Sequence, residues 1–180
     1  QQRAAAAKYA RTKELATRVP KLDAAIERDA MTAPAAAATA LIRHFGLRPG
    51  STSDTKARKK AYGATTLQAR HVRQYPETGR TTLSFVGKSG VNITVSTRDP
   101  DIYRIVEHWK GDKEGTVDLF PADDADVRAY VTEHLGEGFK AKDLRTLLAN
   151  VMALDMVSSM RRPTTQAKFK AARNKIADAV

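Results

Sequence analysis

Thr81-Thr-Leu-Ser-Phe-Val-Gly-Lys-Ser-Gly-Val-Asn-Ile-Thr-Val-Ser96 decides the fold class, because here the spacing of apolar residues switches to a period of two. Leu83 and Phe85, then Val91, Ile93 and Val95, alternate with polar residues, and Gly87 and Gly90 bracket a short loop. The pattern predicts an antiparallel β-hairpin with Lys88 at its tip. Thr66-Leu67 and His71-Val72 lead into it and can extend it to a small three-stranded sheet. Gly, Ser and Lys are ordinary loop residues, so Lys88 reads either as a solvated tip or as a lysine swung into a groove.

On both sides of this hairpin the pattern is helical. Residues 2–18 are nearly all good helix formers, with Tyr9 and Leu15 as the large apolar side chains, and Pro20 is expected to close that helix. Leu22 and Ile26 mark a second, short helix, and Thr32-Ala-Pro34 predicts an N-cap with proline in the following first turn. Leu41, Ile42 and Phe45 form the next apolar stripe, which Gly46 ends. Residues 51–55 can start another helix, stopped by Tyr62-Gly63.

Beyond the hairpin, Asp99-Pro100 opens a helix with Ile102, Tyr103, Ile105, Val106 and Trp109 on one face. Residues 110–122 read as a polar loop with a short extended piece at 116–120. Asp123-Asp-Ala-Asp126 gives an acidic first turn to a helix carrying Val127, Tyr130, Val131 and Leu135; dipole compensation explains these aspartates better than a metal site. From Lys140 a long helix runs to near Met160, and Leu144, Leu147, Leu148, Val151, Met152, Leu154 and Met156 predict that it is central to the core. Pro163 opens a last, basic helix over 164–180. The expected fold is α+β and predominantly helical, with 1–20 as a helical lead-in and 21–180 as one multi-helix domain.

Thirty-one Lys and Arg against 20 Asp and Glu give this chain of 180 residues a net charge of +11 and a pI near 10.0. Such a balance calls for a polyanionic partner, nucleic acid first, because phosphates neutralised by Lys or Arg release condensed counterions. A membrane surface fits less well: the basic terminal stretches are padded with Ala rather than Trp, Phe or Leu. No apolar run approaches the ~18–20 residues of a membrane span. The absence of Cys excludes disulfides, thiolate nucleophiles and cysteine-held zinc, and fits a reducing, intracellular setting.

Among the cations three stand apart. Arg48 follows a helix end, with Pro49 and Gly50 holding the backbone beyond it, and reads either as a cap for the preceding carbonyls or as a guanidinium projected from a rigid base. Arg145 lies beside the apolar stripe of the long helix, so it is partly buried and needs an anion or a carboxylate, with Asp143 and Asp155 as structural candidates. With Lys88 they form a set able to grip a phosphodiester and protonate a leaving oxygen. Lys56, Arg58, Lys59 and Lys60 form a run that reads as a solvated helix face or as phosphate contacts.

Arg48-Pro-Gly50, Gly63-Ala-Thr-Thr-Leu-Gln-Ala-Arg-His-Val72, Phe85-Val-Gly-Lys88 and Lys142-Asp-Leu-Arg-Thr146 occur in a characteristic order and spacing. On these motifs the chain resembles, from about residue 8 to 180, the catalytic domain of type IB DNA topoisomerases of the small bacterial and poxvirus kind. The resemblance implies transient cleavage of one strand of duplex DNA through a 3′-phosphotyrosyl ester, followed by religation, with no cofactor, ATP or metal. Arg48 and Arg145 would hold the non-bridging oxygens, Lys88 would protonate the departing 5′ oxygen, and Lys142 would add a phosphate contact. Lys56, Arg58, Lys59, Lys60, Arg70 and His71 would be further DNA contacts. It further implies a monomer working in the bacterial cytoplasm, with the nucleoid, or in a virus.

The family also places a His and the nucleophilic Tyr after Arg145. Here Tyr9, Tyr62, Tyr75, Tyr103 and Tyr130 all precede Arg145, and His44, His71, His108 and His134 are likewise elsewhere. The chain is therefore expected to bind DNA without cleaving it, as a portion that stops short of the nucleophile and lacks the family's N-terminal β domain. Residues 51–54 also lack the basic and aromatic contacts common at that place. Two other readings stay open. One is a tyrosine recombinase or integrase, which usually carries His-x-x-Arg where this chain has Lys142-Asp-Leu-Arg145. The other is a basic DNA-binding module without chemistry.

Overall fold

Leu15, Val19, Leu22 and Ile26 recur at helical spacing and are all buried on one side of α1 (Gln2–Asp29), a single helix in the computed structural model of the chain. The structure describes residues 2–56 and 60–179, with side chains described over 9–56 and 60–177. Pro20 does not end the helix, and no second helix begins at Leu22. Pro20 is exposed, as is Ala16 one turn earlier, so the carbonyl left without its amide partner faces water. A proline in a helix costs ~3 kcal/mol. Burying Leu22 and Ile26 offsets it, at roughly 1.5–3 kcal/mol for each such side chain.

Pro34 occupies the first turn of α2 (Pro34–Phe45), but the cap position is Ala33 and no side chain caps it. Thr32, the expected cap, turns its hydroxyl back to the Asp29 carbonyl at 3.3 Å. Ala36, Ala37 and Ala38 are fully buried and Ala40 nearly so, which lets α2 approach its neighbours closely. Gly46 closes the helix in the left-handed region (φ 68°, ψ 25°), its N–H reaching the Ile42 carbonyl. The helix after it, α3 (Thr52–Lys56), is short.

The expected hairpin is present and gains a third strand: β1 (Val72–Tyr75), β2 (Arg80–Val86) and β3 (Asn92–Thr97) lie in that order, all antiparallel. Leu83 opposes Val72 on one side and Val95 on the other, so one face of the sheet joins the core. α4 (Pro100–Lys110) starts on an Asp99 cap and is tied across the core by Trp109, whose indole N–H donates to the Ala30 carbonyl at 2.7 Å. Residues 116–120 make one isolated bridge, Gln68 to Asp118, rather than a strand, yet Leu119 and Phe120 within them are fully buried. α5 (Asp124–Leu135) carries the expected acidic start: the Asp123 carboxylate accepts from two backbone amides and Asp126 returns the bond.

α6 (Ala141–Ser159) departs from expectation. Leu144 and Leu147 are buried, but Val151, Met152 and Leu154 are 54%, 42% and 68% exposed. Its first half packs on α1, α2 and α5, and beyond that it meets α7 (Gln166–Ala179), itself largely exposed. The last helix thus begins at Gln166, two residues after the expected start. The structure is predominantly helical α+β, and among the described residues no helix is long and apolar enough to cross a membrane.

Candidate functional site

The two glycine-containing motifs that flank α3 form one clamp. Leu47 is buried and anchors the chain as it leaves α2, and Arg48 emerges exposed beside it. The Arg48 carbonyl accepts the Ala64 N–H at 2.8 Å, and the Pro49 carbonyl accepts both the N–H (2.7 Å) and the hydroxyl (3.0 Å) of Thr65. Thr66 closes the turn on its own side, its hydroxyl oxygen accepting the Gly63 N–H at 2.9 Å. Gly63 lies so close to this segment that a Cβ there would sit 2.6 Å from the Arg48 carbonyl oxygen and from the Gly50 nitrogen. Arg48 is therefore set on a backbone held from both sides.

Lys88 stands at the hairpin tip, where Gly87 donates to the Val91 carbonyl at 2.7 Å and Gly90 to the Gly87 carbonyl at 3.1 Å. Ser89, in that turn, takes a positive φ of 66°. The Tyr62 N–H donates to the Val86 carbonyl at 2.8 Å, which ties the root of the hairpin to the Gly63 clamp.

Arg145 is half-buried, as expected, but its partner is not a carboxylate. Its Nε donates to the Gly46 carbonyl at 2.6 Å, the oxygen freed where α2 ends. Asp143 is engaged elsewhere, pairing with Arg11 at 2.8 Å and accepting the Lys140 N–H, and Asp155 is exposed on the outer half of α6. Burial pushes the Arg145 pKa down, and the positive charge of Arg48 pushes it the same way. A guanidinium stays protonated regardless, so Arg48 and Arg145 are like charges within electrostatic reach of each other, and among the described residues neither has an ion-pair partner.

Arg48, Lys88 and Arg145 line one cleft of about 740 Å³, together with Lys142. Arg128 and Lys140 join them there, as does Tyr62. Its carboxylates are Asp54 and Asp124, and Asp124 is committed to Arg128 at 2.6 Å. A slightly larger hollow between α1, α2 and α4 has no comparable excess of charge: there Arg43 pairs with Asp23 at 3.2 Å and Arg104 with Asp101 at 2.5 Å.

The remaining candidates are scattered. Lys56 and Lys60 are exposed outside the cleft lining, and Arg58 and Lys59 lie outside the described residues. Arg70 is exposed, donating to the Tyr62 hydroxyl at 2.9 Å and to Gln68 Oε1 at 2.9 Å. His71 is not a surface contact. It is 9% exposed, packed edge-on against Tyr62, with Nδ1 accepting the Gln68 N–H at 3.0 Å. Burial pushes its pKa down to about 4, with Arg70 adding to the shift, so at neutral pH it is an uncharged support beneath Tyr62. Sequence reasoning passed over Arg128 and Lys140. Arg128 reads locally as an i,i+4 partner for Asp124, and only the packing of α5 beside α6 turns it toward the cleft.

A family model, that of the eukaryotic DNA topoisomerase I catalytic core, matches residues 1–180. The chain is also similar to the DNA topoisomerase 1B of Acanthamoeba polyphaga mimivirus, with 29% identity over 153 residues. That alignment covers 77% of this chain and 44% of the viral protein, so the chain spans less than half the length of this relative.

Proposed function

Because this chain belongs to the type IB DNA topoisomerase family, as part of the catalytic core, we propose that its cationic cleft receives one phosphodiester of duplex DNA. The observation that carries this reading is that Arg48 and Arg145, with no ion-pair partner among the described residues, line one cleft with Lys88 and Lys142. Two guanidiniums without carboxylate partners repel, and a bound phosphate relieves the repulsion while accepting their N–H groups in the fork geometry that arginine offers.

In the whole enzyme, a tyrosine hydroxyl attacks the phosphorus, its proton passing to solvent, and the bond from phosphorus to the 5′ oxygen breaks. Arg48 and Arg145 hold the non-bridging oxygens as charge builds in the pentacoordinate state. Lys88 gives the departing 5′ oxygen its proton. The free energy of the broken bond stays in the 3′-phosphotyrosyl ester, so religation is the same step reversed, after the duplex has swivelled. Lys142 and Lys140, at the start of α6, hold neighbouring phosphates.

Within this chain the five tyrosines all precede Arg145, and the one lining the cleft, Tyr62, has its hydroxyl engaged by Arg70. The reading for the chain itself is therefore a grip without a nucleophile. Fluorescence anisotropy with a labelled duplex of about 24 base pairs tests it. Affinity is expected to fall steeply with salt, Arg48→Ala with Arg145→Ala is expected to flatten that slope by about 2, and no covalent adduct is expected on denaturing gels. Binding that ignores salt, or a double variant with the parent's slope, would refute the proposal.

A further inference from the structure

Arg11, Arg18, Arg28, Arg43, Arg104 and Arg128 each hold a carboxylate. The arginines of the sheet do not. From Arg70 to Arg98 the sequence has one acidic residue, Glu77, in the turn between β1 and β2. Among the described residues neither Arg73 nor Arg80 has an ion-pair partner. Both instead stack on one ring, their guanidinium carbons 5.9 Å and 4.1 Å from the centroid of Tyr75. The Arg80 Nε is buried with no hydrogen-bond partner.

These side chains share the face of the sheet that points away from the core. By strand alternation that face carries Arg73 and Tyr75 on β1, Arg80, Thr82 and Ser84 on β2, and Thr94 and Ser96 on β3. The hydroxyls pair across the strands, Thr82 with Ser96 at 2.8 Å and Ser84 with Thr94 at 3.2 Å, and both pairs are exposed. Arg73 lies opposite Thr82 in register, so an arginine and two hydroxyls form one row across the sheet. A row of neutral donors flanked by unpaired guanidiniums, with no carboxylate, is the composition that meets phosphate oxygens in nucleic-acid interfaces. The face is also continuous with the cleft, because β2 runs directly into the turn that holds Lys88.

We propose that the outer face of the sheet carries the phosphodiester backbone of the same duplex that occupies the cleft, beyond the phosphate gripped there. This rests on the cleft being a DNA site. The stretch from Arg80 to Lys88, at ~3.3 Å per residue, spans roughly 25 Å. At ~3.4 Å per base pair that is about seven base pairs of duplex reaching outward from the cleft. Arg73 and Arg80, held in place by Tyr75, contact phosphates at the far end, and the serine and threonine hydroxyls contact those between.

The test is a length series of labelled duplexes of about 12, 18 and 24 base pairs, titrated against the chain itself, Arg73→Gln with Arg80→Gln, and Ser84→Asp with Ser96→Asp. Far-UV circular dichroism confirms that each variant is folded; the second pair touches exposed hydroxyls alone and keeps the test valid if the first disturbs the Tyr75 stack. The parent is expected to gain affinity with length beyond the statistical factor. Both variants are expected to lose roughly 10-fold on the longest duplex and little on the shortest, and the arginine variant to lower the salt slope by about 2. Equal affinities at every length for parent and variants, or an equal loss at every length, would overturn the inference. So would a second duplex per chain in a stoichiometric titration that the variants alone remove. Failure of the parent to bind any duplex would strike the cleft reading instead.

Discussion

Replacing Gly63 with alanine asks whether the clamp behind Arg48 aims that side chain or merely accompanies it. The added Cβ would fall 2.6 Å from the Arg48 carbonyl oxygen and the Gly50 nitrogen, and 2.7 Å from the Gly50 Cα. Every one of these is a backbone atom, so no rotamer change relieves the clash. Ordinary contact begins at about 3.4 Å, which obliges the 48–50 segment to retreat by roughly 0.8 Å. The backbone at Gly63 (φ −150°, ψ −173°) suits alanine, so the cost is steric alone. Overpacking of this kind costs ~1–3 kcal/mol. The retreat also stretches the hydrogen bonds from Ala64 to Arg48 and from Thr65 to Pro49, now 2.8 and 2.7 Å, each contributing ~1 kcal/mol. For a domain of this size the sum, about 3–5 kcal/mol, corresponds to a fall in Tm of roughly 6–20 °C. Thermal denaturation reads that fall, and anisotropy reads an accompanying rise in Kd of roughly 10-fold, comparable to Arg48→Ala although Arg48 is intact. An unchanged Tm would refute the steric reasoning. A lowered Tm with unchanged Kd would show that the clamp stabilises the fold without aiming Arg48.

Two further outcomes follow from the fold. His71 has a folded pKa of about 4 against an ordinary 6.5, so between those values the unfolded chain binds a proton that the folded one refuses. Stability is then lost as pH falls from about 6.5 to about 4, by about 1–3 kcal/mol, and urea midpoints of the parent should decline more steeply over that window than those of His71→Gln; parallel profiles would contradict the assignment. Pro20→Ala should raise stability by ~1–3 kcal/mol, since it restores an amide donor and removes a ring clash within α1 while leaving the buried face untouched. A lowered midpoint in denaturant would mean that the proline sets the packing of α1.

Where a signal is local, the sequence carried it. The alternation at 81–96, the Asp99 and Asp123 caps and the glycine after Phe45 each act within a few residues, and each element stands where its pattern put it. Pro20 misled because a single residue's helix cost was weighed without the burial of Leu22 and Ile26 that exceeds it. The outer half of α6 misled for a different reason. A stripe of Val151, Met152 and Leu154 shows that a helix has an apolar face, and nothing in its spacing says whether another element covers it.

The sequence by itself determined the class of the fold, the excess of positive charge, and the four motifs that mark Arg48, Lys88, Lys142 and Arg145. Only the tertiary structure decided that these cations share a cleft, that Arg145 leans on the Gly46 carbonyl rather than on Asp143, that Arg128 and Lys140 stand beside them, and that His71 is inside. The physical reason is range. Propensity, capping and periodicity are set by neighbours along the chain. The meeting of Gly63 with Gly50, or of α6 with the end of α2, is set by close packing between segments that the chain brings together only when it folds.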